Sequence, residues 1–370
     1  MTRYESANEA ADGEPRAESR SDEGIVTLAH GAGGEAMRSL VDGLAVSRFA
    51  ERTNGAEASA EATDGEIGLA ALDDGSAHPL GDESVVLTTD SHVVNPPVFP
   101  GGDIGRLSVS GTVNDLAVMG ATDPIALTCS LVVEEGTPIS ELDAIMKSMR
   151  ETCEEAGVRI TTGDTKVMGS GELDGPVINT TGIGAVPPEE VITDAGLSPG
   201  DVVLVSGTVG DHGIALLSER EGFDFGGDLE SDVAPVNGVV RAALDAGRVT
   251  AMKDPTRGGL ATALNEMAEK AGVGIEIDEP SIPIDDAIAS AGEVLGIDPL
   301  SVANEGTVVL GVDPDDAEAV LEAIRNRPMG SEAAVVGRVT SDLVGRVVLD
   351  TGFGKRYLSE PSGEALPRIC

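Results

Sequence analysis

Ser84-Val85-Val86-Leu87-Thr88-Thr89-Asp90 is an apolar, β-branched run that stops on a carboxylate. Val, Leu and Thr in such a run favour a strand, and the acid that follows it falls at the rim of a sheet. The same punctuation recurs along the chain. Asp164 follows Ile160-Thr161-Thr162-Gly163, Asp73-Asp74 follows Leu69-Ala70-Ala71-Leu72, and Asn114-Asp115 lies in the glycine-bounded segment 111–120. Strand ends converge in space, so these four acidic positions could together hold Mg2+ through carboxylate oxygens and water. A lone Asp in so acidic a chain is by default a solvated surface residue. The Gly and Thr neighbours of these four set them apart.

Outward from these runs, apolar β-type segments over 84–89, 125–133, 158–162 and 177–186 alternate with helical periods over 105–119 and 139–156. Ser198-Pro199-Gly200 begins a second unit, with a strand over 201–206, helices over 213–220 and 258–271, and strands over 273–277 and 307–312. A helix with an acidic first turn follows over 314–326. The expectation is an α+β protein of two domains, 24–186 and 187–345. Residues 1–23 read as a disordered acidic extension, 51–68 as a polar surface insertion, and 346–370 as a flexible tail.

The net charge is −41, from 65 Asp and Glu against 24 Lys and Arg, and it is spread along all 370 residues. Such self-repulsion destabilises a compact state unless salt screens it, so the economical reading is adaptation to a salty cytoplasm. The acidic balance argues against nucleic acid as a partner, and the 2% aromatic content offers no base-stacking surface. No apolar run is long enough to span a bilayer. The start, Met1-Thr2-Arg3-Tyr4-Glu5, is not a secretory signal. With three cysteines and no zinc spacing, the expected compartment is the reducing cytoplasm.

There is no G-x-x-x-x-G-K-[ST] in the chain, so a bound nucleotide would need other partners for its phosphates. Metal-bound carboxylates, Lys166 and the amides of the turn His30-Gly31-Ala32-Gly33-Gly34 are the candidates. Asp254-Pro255-Thr256-Arg257-Gly258-Gly259 enters a helix whose apolar stripe includes Leu260, Leu264 and Met267, with Glu266 on its flank. A carboxylate at such a half-buried boundary can serve as a base. The last residue of the sequence is Cys370. The segment before it carries turn formers and no strand or helix period, so it reads as an arm that could carry a thiol between two sites.

These pieces, in this order, resemble the HypE family, the hydrogenase-maturation carbamoyl dehydratases of the PurM/aminoimidazole-ribonucleotide-synthetase superfamily. The matching stretches include His30–Gly34, Thr89-Asp90-Ser91, Gly111-Thr112-Val113-Asn114-Asp115 and Gly163-Asp164-Thr165-Lys166. In the second half they include Asp211-His212-Gly213, Asp254–Gly259, Ala303-Asn304-Glu305-Gly306 and the terminal Pro367-Arg368-Ile369-Cys370. The last of these separates the family from its superfamily relatives. Residues 1–23 and 51–68 have no counterpart. Asp73-Asp74-Gly75-Ser76-Ala77 is a looser form of the family's Asp-Asp-x-Ala, which leaves open which of Asp73 and Asp74 touches metal. His92 stands where the family usually carries an aromatic or aliphatic residue, and no role is assigned to it.

The resemblance implies an N-terminal ATP-binding domain whose sheet joins a partner's in a homodimer, followed by a C-terminal α+β domain. ATP and Mg2+ would be the cofactors, with Gly31, Gly33, Gly34, Asn114, Thr165 and Lys166 on the nucleotide and Asp73, Asp74, Asp90, Asp115 and Asp164 on the metal. A HypF-like carbamoyltransferase would load a carbamoyl group on Cys370. This chain would dehydrate it to an S-cyanide, with Glu266 as base and Lys166 neutralising phosphoryl charge, and a HypC–HypD complex would receive the cyanide. Two other readings stand beside this one. Selenophosphate synthetase resembles the chain in ATP use but carries its reactive residue in the N-terminal glycine region, where Thr27-Leu28-Ala29-His30-Gly31 has no cysteine. The other is a nucleotide-binding scaffold whose tail only docks partners.

Overall fold

The computed structural model describes residues 25–31, 33–49, 65–223 and 229–361. The expected extension at 1–23, most of the insertion at 51–68 and the thiol of Cys370 lie outside the described residues. The chain opens on α1 (Gly34–Val41) and the short turn α2 (Ser47–Phe49). The first sheet holds β1 (Ser76–Leu80), β2 (Glu83–His92), β5 (Ala126–Glu134), β6 (Ile160–Met168) and β7 (Val177–Val186), in the order β1-β2-β7-β5-β6. β5 and β6 run parallel, and the other pairs are antiparallel. β3 (Val98–Phe99) and β4 (Gly102–Asp103) make a separate two-residue pair.

Helices α3 (Ile104–Val118) and α4 (Ile139–Ala156) cover one face of this sheet. The alternation along β7 explains why: Ile178, Thr180, Gly182, Gly184 and Val186 are buried, and the residues between them are half-buried. Gly182 is what lets α3 lie so close, because a Cβ there would meet Thr112 Cγ2 at 2.7 Å and Leu116 Cδ1 at 2.8 Å. The opposite face carries no helix of its own sheet among the described residues.

The second sheet is built from β8 (Val202–Val205), β9 (Val249–Lys253), β10 (Gly274–Asp278), β11 (Val309–Val312), β12 (Ala334–Thr340), β13 (Arg346–Asp350) and β14 (Lys355–Tyr357). Its order is β14-β13-β10-β12-β8-β11-β9. With it go α5 (Asp211–Glu221), α6 (Asn237–Ala246), α7 (Gly259–Ala271), α8 (Asp286–Leu295) and α9 (Ala317–Arg325). α7 closes the largest core cluster, laying Leu260, Leu264 and Met267 on Val309, Val336 and Leu349. The sheet extends past the expected domain end at 345, since β13 pairs in parallel with β10 and β14 pairs with β13. Leu358 is still buried in the core, so the tail begins near Ser359 and not at 346.

α3 also packs against the second domain: Ala117 and Val118 belong to the core cluster formed by α6, α9 and their strands. No helix of the described residues is long and apolar enough to cross a membrane.

Candidate active site

Along β2 the residues Val86, Thr88, Asp90 and His92 point towards α3, and the strand's period of two delivers Asp90 to that side. There it joins Asp115 of α3, whose carboxylate lies 2.7 Å from the Thr88 hydroxyl. Asp74, from the loop before β1, and Asp254, from the loop after β9, complete the group. Burial raises the Asp115 carboxyl well above its ordinary value, and repulsion from Asp254, Asp90 and Asp74 adds to it. Burial also pushes Asp254 up to about 8, with Asp74 and Asp90 reinforcing the shift. Asp90 goes the other way. Burial alone would raise it, but the His92 imidazole, 3.1 Å away, and the charge of Arg257 hold it below the usual carboxylate range.

Buried carboxylates that repel one another are costly unless a cation sits among them. Asp74 Oδ2 and Asp254 Oδ2 are both buried without a hydrogen-bond partner. Among the described residues no three His, Cys, Asp or Glu side chains are already gathered tightly enough to hold a metal ion. The donors are nonetheless of the kind Mg2+ takes, a few carboxylates with room for retained water and phosphate oxygens.

Behind this group runs a line of alternating charge. Lys253, at the end of β9, donates to Asp74 Oδ1 at 2.7 Å and to Asp194 Oδ2 at 3.2 Å, and stands 3.5 Å from Glu266 Oε2. Lys270 donates to the same oxygen of Asp194 and to the carbonyl of Leu72, both at 2.6 Å. Asp73 accepts from the backbone N–H of Asp74 and of Asp194. Of the two adjacent acids, then, Asp73 ties the backbone, and Asp74 has the free oxygen.

Glu266 lies on the flank of α7, 16% exposed, with Oε1 accepting from Arg38 at 2.8 Å. The glycine turn sits against the loop that leads into α7. Gly33 has φ of 86°, and a Cβ there would come within 3.0 Å of both Arg257 Cβ and the Arg257 carbonyl oxygen. Gly34, at the first position of α1, is next to Glu360. Gly31 has open space around it.

Two family models match the chain: AIR synthase related protein, N-terminal domain, over residues 72–186, and AIR synthase related protein, C-terminal domain, over 198–350. A carbamoyl dehydratase HypE of Rhizobium leguminosarum bv. viciae is 45% identical over 94% of this chain and 95% of its own. The chain belongs to the HypE family. A solved HypE–HypF complex contains a similar chain, at TM-score 0.79 and 39% identity, covering 87% of this chain and all of that one. A hydrogenase maturation protein HypE solved in complex with ATP gives TM-score 0.75 and 38% identity over 94% of this chain and all of that one.

Not every residue expected in the HypE site is brought to it. Asp164 is in the middle of β6 and not at a strand end. It shares a row with Ser130, Asn179 and Ser91, three strands from β2 and so about 14 Å away. That row faces away from α3, so within one chain Asp164 and Lys166 leave the sheet on the side opposite Asp90. There they pair with each other at 2.6 Å, both exposed, and Thr165 lies beside them on the same edge strand. Asn114 makes contacts across the two domains. It is buried, its Nδ2 donates to the carbonyls of Ala234 and Glu305, and its Oδ1 accepts from the N–H of Val236. Its amide joins the two domains. Sequence reasoning passed over Asp254 as a metal candidate, though its motif was visible, and over Asp194 and Arg38, which no local pattern marks.

Proposed function

We propose that this HypE chain uses ATP to dehydrate a carbamoyl group carried on Cys370, giving an S-cyanide for the iron centre of a [NiFe] hydrogenase. The observation that carries this reading is the position of the tail's first residues. Leu358 is held by the carbonyl of Val347 and by Asn265 of α7, and Glu360 is held by Arg38 beside Glu266. Cys370 is ten residues further on, a span of at most about 34 Å. The thiol can therefore return to Glu266 and the carboxylate group, and can also extend to a carbamoyltransferase.

An amide oxygen leaves poorly as hydroxide. Transfer of the γ-phosphoryl group of ATP to that oxygen turns it into a phosphate leaving group. One N–H proton is lost as the O-phosphoryl imidate forms. Loss of the second, with the C–O bond, expels phosphate and completes C≡N. Glu266 is the acceptor we assign for these protons, since it is the carboxylate next to the tail. Mg2+, when bound, would neutralise phosphate charge. Asp74, Asp90, Asp115 and Asp254 would hold it, with Asp73 supporting the backbone behind them. The amides of Gly33 and Gly34 and the Arg257 guanidinium bound the side from which phosphates would approach.

A homodimer formed through the open face of the first sheet would put Asp164, Thr165 and Lys166 at its seam, so their part in ATP binding depends on the dimer. The solved HypE–HypF complex supports a HypF-like carbamoyltransferase as loading partner. A HypC–HypD complex as recipient, and a cytoplasmic setting, follow from the family reading. Peptide mapping of the whole chain by mass spectrometry tests the proposal, after incubation with a HypF-type enzyme, carbamoyl phosphate and ATP. The expected result is a carbamoyl adduct on Cys370 that loses one water when ATP is present, and no adduct in Cys370→Ala. An adduct on Cys129 or Cys153, or one that never loses water, would overturn it.

A further inference from the structure

Arg38 joins three parts of the chain that are far apart in sequence. One terminal nitrogen of its guanidinium donates to Glu266 Oε1 at 2.8 Å. The other donates to both oxygens of Glu360, at 2.9 and 2.8 Å. Both carboxylates are largely buried, with side-chain exposures of 16% and 20%. Charge-assisted contacts of this kind are shorter and stronger than neutral ones, and the planar fork fixes direction as well as distance.

The contact has a rigid support on each side. α1 is held down by the glycine turn, where Gly33 leaves no room for a side chain above Arg257. Glu266 is gripped from the far side by Lys253, which in turn holds Asp74 of the carboxylate group. The result is an unbroken series of alternating charges: Asp74, Lys253, Glu266, Arg38, Glu360. It runs from the proposed metal-binding group to the root of the tail. Up to Leu358 the tail has other anchors, through Val347 and Asn265. From Ser359 onward, among the described residues, the side-chain hydrogen bonds that hold the tail come from Arg38.

We propose that Arg38 is a positioning residue, which fixes the orientation of Glu266 and the root of the tail in one frame so that the arm that carries the thiol starts beside the base. The proposal rests on the reading of Cys370 as carrier and Glu266 as base. It requires no contact between Arg38 and the reacting atoms. A lysine cannot do the same work, because one ammonium has no fork to span both carboxylates.

The test uses the full chain, with two readouts. Hydrogen exchange is followed in the peptide that starts at Arg356 and runs past Glu360. Single-turnover loss of water is followed on protein already carbamoylated at Cys370, with ATP. Arg38→Ala should raise exchange at Ser359 and Glu360 about tenfold and leave β13 and β14 unchanged. It should slow dehydration at least tenfold with ATP affinity retained. Arg38→Lys should recover less than half of either loss. Glu360→Ala, which spares the Arg38–Glu266 pair, should reproduce the exchange change and slow dehydration at least threefold. Unchanged exchange in Arg38→Ala would overturn the proposal, and so would raised exchange with dehydration at the wild-type rate. Glu266→Gln, run in parallel, separates the two claims. If it dehydrates normally, the base assignment fails, and the exchange measurement still decides whether Arg38 places the tail.

Discussion

Asn114 and Asp194 illustrate what a single side chain does in this protein. Three of the four hydrogen-bonding directions of the Asn114 amide are occupied by backbone groups of the second domain. Asn114→Ala would strand a buried N–H and two carbonyls, at about 1–3 kcal/mol for each group left unpaired. We expect a loss of about 3 kcal/mol or more in denaturant unfolding, and unchanged ATP affinity in the protein that remains folded. Lost affinity with intact stability would return Asn114 to the nucleotide. Sequence disclosed the chemical type of these residues but not what they face. Asp90 and Asp115 could be picked out because a strand run and a glycine-bounded segment frame them. Asp194, buried between two lysines contributed from 59 and 76 residues further on, has no such frame. Its meaning is created by tertiary contact.

At the level of elements, periodic segments were the readable ones. α4 has the bounds its apolar period indicates, and β7 keeps strict alternation because one face meets α3. The strand expected over 158–162 falls short of β6 for a physical reason: every one of the nine residues of β6 is exposed, so no burial pattern marks its second half. β13 has no local mark in the sequence, because its partner β10 lies about seventy residues earlier and a parallel pairing leaves no turn signal. The consequence is a tail shorter than sequence suggested, rooted by Leu358. Leu358→Ala should cost about 2–5 kcal/mol, as a large-to-small change in a closed core does. A surface loop residue there would lose less than about 0.5 kcal/mol, so thermal unfolding of this one variant decides where the domain ends.

The whole molecule carries a pH response that lies away from the proposed chemistry. In α5, burial and the nearby Asp232 push the Asp211 carboxyl up to about 7. The fold then keeps a proton that the unfolded chain sheds near pH 4, so this group's contribution to stability is full below about 4 and is lost as pH rises towards 7. His212 is next in sequence, and burial takes it down to about 3. Its unfolded form takes up a proton below about 6.5 that the fold refuses, so stability is lost as pH falls from there towards 3. Asp211→Asn removes the first effect only. Between pH 5 and 7.5 that variant should gain on the order of 1–3 kcal/mol relative to wild type. Parallel stability curves would mean that Asp211 titrates as an ordinary surface acid. The rooted tail has one more consequence, which is kinetic. A thiol confined within about 34 Å of Glu360 is present at its own site at a local concentration in the millimolar range. On the proposed chemistry, attack or return by that thiol is first order and indifferent to dilution, whereas a carbamoyltransferase or an acceptor complex would have to compete with that figure at each visit. Extending the stretch between Glu360 and Cys370 lowers it steeply, so the length of this segment, independent of its sequence, sets how the cargo is divided between the chain's own site and its partners.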